Sequence, residues 1–312
     1  MNPNYPELFV RNSENPILTA SMWPYPVHTV FNPGATILKD GNTLLLCRME
    51  DRKGLSQLGI ARSKNGLNHW IINPSPFMTA EPEIYPAECW GIEDPRITFI
   101  SELNQYIICY VSYGKSGPSV SLAITENFEE QIKLGMVLKP NDKDAALFPR
   151  KIQDRWVMLH RPIDHNSANI WISYSVDLMH WKDRKLILGT RTGGWWDAEK
   201  IGLGAPPIET KEGWLIIYHG VKKNASGYLY RIGLALLDLE HPDICIKRTN
   251  DWIFAPETDY ERFGDVKDVV FPCGLTLLAD NDTIHLYYGA ADTSIGVATG
   301  SVRKLLDWLQ NQ

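Results

Sequence analysis

Short runs of β-branched and aromatic residues return along this chain at near-regular intervals, each preceded by a polar turn. The runs at 44–48, 106–113, 156–161, 214–219 and 284–288 follow turns at 40–42, 102–104, 153–154, 211–213 and 280–282. Ahead of every turn stands a proline motif: Asn32-Pro33-Gly34, Asp94-Pro95-Arg96, Phe148-Pro149-Arg150, Ala205-Pro206-Pro207 and Phe271-Pro272-Cys273. These prolines are 62, 54, 57 and 66 residues apart, and each is expected to form a short turn that leads into a strand. A third apolar run follows in every copy, at 58–63, 120–125, 170–175, 232–237 and 295–300. A fourth closes four copies, near 71–78, 132–138, 186–188 and 244–246. Branched and aromatic side chains pack well on a pleated surface, so the runs read as strands.

Five repeats of four strands, at a period near that of propeller blades, predict an all-β fold, a five-bladed β-propeller. The fifth copy lacks its fourth strand. Residues 8–18 are expected to supply it, because Asn15-Pro16-Ile17-Leu18 echoes Asn73-Pro74-Ser75-Pro76-Phe77, so the N-terminal strand closes the last blade. Residues 301–312 read as a short amphipathic helix with Val302, Leu305, Leu306 and Leu309 on one side. No linker interrupts the copies, and residues 1–312 read as one propeller domain. Two stacked sandwiches would leave the fivefold similarity unexplained.

The chain of 312 residues is 44% hydrophobic and 22% charged, with a net charge of −6. That balance argues against a broad nucleic-acid or anionic-membrane surface. No run approaches bilayer length and residues 1–10 carry no signal-like pattern, so a cytoplasmic protein is expected. Five cysteines, Cys47, Cys89, Cys109, Cys245 and Cys273, form no C-x-x-C pair, and most of them read as buried small residues. His160 and His165 are poorly spaced for a metal, and none is assigned. Oligomeric state is not fixed by the sequence, and a homo-oligomer is compatible with it.

In a propeller the innermost strands surround an axial channel, and the loops at one end form a funnel. Asn32, Asp94 and residues 143–148 are expected to approach the axis from the starts of inner strands. Arg48, His160, Arg161, His219 and Asp292 fall at or beyond the ends of the second strands, which finish at the same face. Each has a local reading as a cap, a loop ion pair or a solvated charge; together they point to a pocket. The stretch from Cys89 to Arg96 sets two adjacent acids and an arginine between Gly91 and Pro95. It reads either as a catalytic carboxylate or as a turn in which Asp94 caps an amide and Arg96 pairs with Glu93.

Trp90, Tyr113, Trp195, Trp196, Tyr218, Tyr228, Tyr230 and Tyr288 suit a carbohydrate, whose C–H faces stack on rings while its hydroxyls need carboxylates and arginine. A nucleotide loop at Gly202-Leu203-Gly204 is excluded by Pro206 and Pro207, which forbid the helix that would hold a pyrophosphate. Neither a G-x-S-x-G elbow nor an H-E-x-x-H pair is present.

The ordered set Gly91-Ile92-Glu93-Asp94-Pro95-Arg96, Asn141-Asp142-Lys143-Asp144 with Leu147-Phe148-Pro149, His160-Arg161-Pro162, Trp196-Asp197 with Lys200 and Gly204, Tyr218-His219-Gly220, and Val270-Phe271-Pro272-Cys273-Gly274 resembles glycoside hydrolase family 130 over nearly the whole chain. The resemblance implies a five-bladed propeller and an inverting β-mannoside phosphorylase, with inorganic phosphate as co-substrate and no other cofactor. Asp94 is then the proton donor, acting through the 3-hydroxyl of the bound mannosyl residue. Phosphate attacks the anomeric carbon from the opposite face and gives α-mannose 1-phosphate. The resemblance assigns Lys143, Arg161, Lys200, His219 and Tyr230 to phosphate, and Asn32, Arg48, Asp51, Glu93, Asp197 and Asp292 to the sugar.

Two positions depart from the family pattern. Arg150 stands where an acid is expected, and Glu93 where many members have Tyr. Ile-Glu-Asp-Pro-Arg inclines toward β-1,2-linked manno-oligosaccharides rather than β-1,4-mannosyl-glucose or mannosyl-N-acetylglucosamine. A hydrolase on the same scaffold would need a carboxylate base, for which Glu257 and Glu261 are the candidates. A noncatalytic sugar-binding propeller is the third reading.

Overall fold

The computed structural model describes residues 6–164, 167–225 and 227–312, so His165 lies outside the described residues. The strands form five antiparallel sheets that follow one another along the chain. Blade one comprises Thr29–Ile37, Thr43–Glu50, Ser56–Ser63 and Ile71–Ile72; blade two comprises Ile92–Ile100, Gln105–Gly114, Gly117–Thr125 and Ile132–Leu138. Blade three comprises Asp142–Leu147, Trp156–Asp164, Ile170–Ser175 and Lys182–Leu188, and blade four Lys200–Leu203, Trp214–Asn224, Gly227–Leu237 and Cys245–Arg248. Blade five holds Val270–Leu277, Thr283–Ala290 and Ser294–Ser301. Its last strand pairs with Phe9–Arg11 and Leu18–Thr19, so the N-terminal segment closes the ring as expected. The fold is a five-bladed β-propeller.

The prolines do not stand where the repeat placed them. Pro33, Pro95 and Pro272 lie inside the innermost strands, at register shifts between Phe31 and Gly34, Glu93 and Arg96, and Pro272 and Gly274. Pro149 and Pro206 instead follow the ends of their innermost strands. An innermost strand is paired on one side only, so a proline there breaks no ladder on its free edge, and a bulge absorbs the residue that cannot donate. Asn32 and Asp94 occupy the bulges at φ 45° and 49°, a left-handed conformation that Asn and Asp tolerate. In blade three the corresponding residue is Asp144, at φ 51° between Lys143 and Ala146. Aligning the repeats on Pro149 hides that equivalence. The fourth strand of blade one also shrinks to two residues, with a lone bridge from Leu58 to Met78, because Pro74 and Pro76 have no amide hydrogen to give.

Five apolar clusters fill the spaces between neighbouring blades. Alternation within a strand feeds two of them: Leu44 and Leu46 face blade two, whereas Leu45 and Cys47 face blade five. The helix Val302–Gln310, capped by the Ser301 hydroxyl, seals blades four and five with Val302, Leu305, Leu306 and Leu309. At the axis the innermost strands nearly touch. A β-carbon at Gly34 would lie 2.8 Å from the Pro95 carbonyl oxygen, so only glycine fits. None of the described helices is long and apolar enough to cross a membrane, and the five cysteines are free.

Candidate active site

The bulges aim three polar side chains from successive blades, Asn32, Asp94 and Asp144, into one end of the channel. Asp94 is 2% exposed and fully engaged. Asn32 Nδ2 donates to its Oδ1 at 2.8 Å, Arg48 Nη1 donates to the same oxygen at 3.0 Å, and Lys143 Nζ donates to Oδ2 at 3.3 Å. Burial opposes ionisation of this carboxyl, but Lys143 and Arg48, aided by Asn32, outweigh it and hold the group well below the ordinary carboxylate range.

Arg48 organises the acids on that side. Its Nη2 stands 3.1 Å from Glu93 Oε1 and 3.5 Å from Glu50 Oε2, while Nε donates to Ser56 Oγ at 2.9 Å. Of the two readings of the Cys89–Arg96 stretch, the turn with an Arg96–Glu93 pair is not the one formed, since Arg48 takes Glu93. Arg96 is 1% exposed and reaches across the axis, where Nε donates to the Gly204 carbonyl at 2.6 Å and Nη2 to that of Leu203 at 2.9 Å. Burial raises the Glu93 carboxyl despite Arg48 and Lys143. Asp292, on the turn after the second strand of blade five, is pushed up by burial to about 6, with Arg48 opposing and the Asp94 charge adding.

A second cluster adjoins the first through Lys143. Arg161 Nε lies 3.0 Å from Asp144 Oδ2, His219 Nε2 lies 3.6 Å from the same oxygen, and Arg96 Nη2 lies 3.5 Å from Oδ1. Burial works against the Asp144 charge, yet Arg161, His219, Lys143 and Arg96 bring its pKa down to about 2. The same burial lowers His219 to about 3 against the pull of Asp144, so the ring is neutral near pH 7. Neither nitrogen of that wholly buried ring makes a hydrogen bond among the described residues. A β-carbon at Gly202 would collide with Asp144 and His219, which explains the glycine there. Lys200 sits 5.1 Å from the ring centroids of both Tyr228 and Tyr230, and the Tyr230 and His219 rings are 6.0 Å apart.

Other expected site residues are used differently. Asp51 Oδ1 accepts the Lys53 and Leu55 amides and closes its own turn. Asp197 is wholly buried in a separate cluster, where Oδ2 accepts from Arg248 Nη2 at 2.6 Å and from the Tyr218 hydroxyl at 3.1 Å. His160 is bonded inside blade three. Of the aromatic residues, Trp196, Tyr218 and Tyr288 are core, while Trp90, Tyr113, Trp195 and Tyr228 are exposed. Arg150 makes a bidentate pair with Glu209 beyond the far ends of the innermost strands, remote from Lys143 and Lys200 at their near ends. The carboxylates considered as hydrolytic bases are taken. Glu261 accepts from Arg11, the Tyr288 hydroxyl and the amides of Glu257 and Thr258, and Glu257 pairs with Arg11 at the protein surface. The sequence places residues 143–148 at the axis but gives Asp144, Arg96 and Ser56 no role in the site; alignment on the bulge singles out Asp144.

Among the described residues no group of three or more His, Cys, Asp or Glu side chains could hold a metal ion. The glycoside hydrolase family 130 model, described as beta-1,4-mannooligosaccharide phosphorylase, matches residues 9–311. A 1,2-beta-oligomannan phosphorylase of Thermoanaerobacter sp. is 40% identical over 279 residues, 86% of this chain and 88% of that protein. A beta-1,4-mannooligosaccharide phosphorylase of Ruminococcus albus is 32% identical over 309 residues, 96% of this chain and 90% of that protein. The solved structure of beta-1,2-mannobiose phosphorylase from Listeria innocua, in complex with beta-1,2-mannobiose, superposes with a TM-score of 0.89 at 30% identity and covers 100% of both chains. The chain belongs to glycoside hydrolase family 130.

Proposed function

We propose that this protein is an inverting β-mannoside phosphorylase that cleaves β-1,2-linked manno-oligosaccharides with inorganic phosphate and releases α-mannose 1-phosphate. The observation that carries the reading is one buried acid, Asp94, in contact with Lys143, which stands opposite Arg161 and next to the Asp144 carboxylate that Arg161 and His219 surround. An inverting hydrolase needs a second carboxylate to activate water; phosphate arrives nucleophilic and needs cations to hold it. Lys143, Arg161 and Lys200 supply charge, and His219 and Tyr230 supply neutral donors. Charge-assisted bonds to phosphate oxygens are the strong kind, and arginine gives two at once.

In this reading a phosphate oxygen bonds to the anomeric carbon as the glycosidic C–O bond breaks on the opposite face. The leaving oxygen takes a proton from the mannosyl 3-hydroxyl, and the 3-oxygen regains one from the Asp94 carboxyl, which takes up that proton when phosphate binds. Asn32, Arg48, Glu93 and Asp292 hold the sugar hydroxyls beside Asp94. The relatives that act on β-1,2 linkages support that choice of linkage. Incubation with β-1,2-mannobiose, followed by phosphorus NMR, tests it: α-mannose 1-phosphate forms only when phosphate is present. Mannose released at the same rate without phosphate would overturn it.

A further inference from the structure

The third blade carries a buried chain of side chains that the chemistry above does not use. Asp142 Oδ2 lies 2.7 Å from His160 Nδ1, and His160 Nε2 lies 2.9 Å from Ser173 Oγ. Acid, imidazole and hydroxyl in that order suggest a nucleophilic triad. Asp142, His160 and Ser173 are 4%, 1% and 2% exposed, so no substrate reaches the hydroxyl. What they share is position. The chain spans the three inner strands of the blade, and Asp142 and His160 immediately precede Lys143 and Arg161, which stand directly opposite each other. Alternation puts Asp142 and His160 on one face of the sheet and the two cations on the other.

The backbone ladder is interrupted where those cations project. Register passes from the Lys143–Arg161 pair to the Ala146–Leu159 pair, which leaves Asp144 and Ala145 in the bulge. A bulge removes ladder bonds and increases local twist, so the main chain alone fixes the Lys143–Arg161 spacing poorly. The Asp142–His160 bond crosses the interrupted pair of strands, and the His160–Ser173 bond ties it to the third strand, whose ladder with the second is unbroken, both in a low-dielectric interior where each is strong.

We propose that Asp142, His160 and Ser173 form a positioning device that sets Lys143 and Arg161 at the separation needed to grip phosphate. The inference rests on the phosphate-binding reading of those two cations. The three residues touch neither substrate; they act through the strands that carry the cations.

Steady-state phosphorolysis of β-1,2-mannobiose, with phosphate and mannobiose varied separately, tests this. His160→Phe is expected to raise the KM for phosphate roughly 10-fold or more, the scale seen when the partners that orient metal ligands are lost, with the KM for mannobiose unchanged. Ser173→Ala shifts phosphate KM the same way by less, and Asp142→Asn, which keeps an acceptor oxygen for the imidazole N–H, retains most of the parent affinity. Should His160→Phe fail to fold, the other two variants decide. Arg161→Lys serves as the reference. If it leaves phosphate KM unchanged, the phosphate reading itself falls. If it raises phosphate KM while His160→Phe and Ser173→Ala do not, or raise both KM values equally, the positioning role alone is wrong.

Discussion

Lys143 Nζ lies 3.3 Å from Asp94 Oδ2, so the carboxyl assigned as the acid and a cation assigned to phosphate form one electrostatic unit. Two unit charges this close interact by about 5 kcal/mol at an effective dielectric constant near 20, enough to govern protonation. Phosphate drawn to Lys143 cancels part of that field and places negative charge beside Asp94, which raises its pKa from the depressed value of the free protein. Phosphate binding should therefore be accompanied by proton uptake that Asp94→Asn lacks. Calorimetry in buffers of differing ionisation enthalpy measures the difference, and equal proton counts for parent and variant would count against the coupling.

Asp94→Asn should also separate chemistry from binding. The amide keeps an oxygen for Asn32 and Arg48 but has no proton to relay, so kcat is expected to fall about 100- to 10,000-fold. Binding of mannobiose, followed by calorimetry, should persist. Retained turnover would remove Asp94 from the role of acid.

His219 gives a pH signature of stability. Burial lowers its folded pKa to about 3 from 6.5, so between those values the unfolded chain binds the extra proton. Stability from this group is complete above pH 6.5 and is lost as pH falls toward 3, at a slope of up to about 1.4 kcal/mol per pH unit. His285, also lowered by burial, adds to the parent slope, so the comparison is with His219→Gln. The variant should show a shallower fall in urea midpoint below pH 6.5; an unchanged slope would refute the assignment.

Ring closure depends on a buried ion pair. Arg11, on the N-terminal strand, donates to Glu261 Oε1 at 2.8 Å and Oε2 at 3.0 Å, and the Glu261 side chain is 0% exposed. Arg11→Met strands that carboxylate, at a cost of about 3–5 kcal/mol. Urea titration should show the loss, and adding Glu261→Gln should recover part of it. If the double variant is no more stable than the single, the charge is not the cause.

The strand runs, the fivefold repeat, the borrowed N-terminal strand and the terminal helix were all legible in the sequence, because period-2 apolar patterns and polar turns are local properties. The ordered motifs likewise carried the family and drew attention to Asp94, Lys143, Arg161 and His219. Partners across the ring were not legible. Arg48 rather than Arg96 takes Glu93, Arg96 crosses the axis to the Leu203 and Gly204 carbonyls, and Asp144 rather than Pro149 marks the bulge of blade three. Contacts between residues 45 to 108 positions apart depend on how blades converge and where a bulge turns a side chain. The chain by itself determined which elements form and in what order; closure of the ring decided which charges meet, because only there do the inner strands come close enough to share partners.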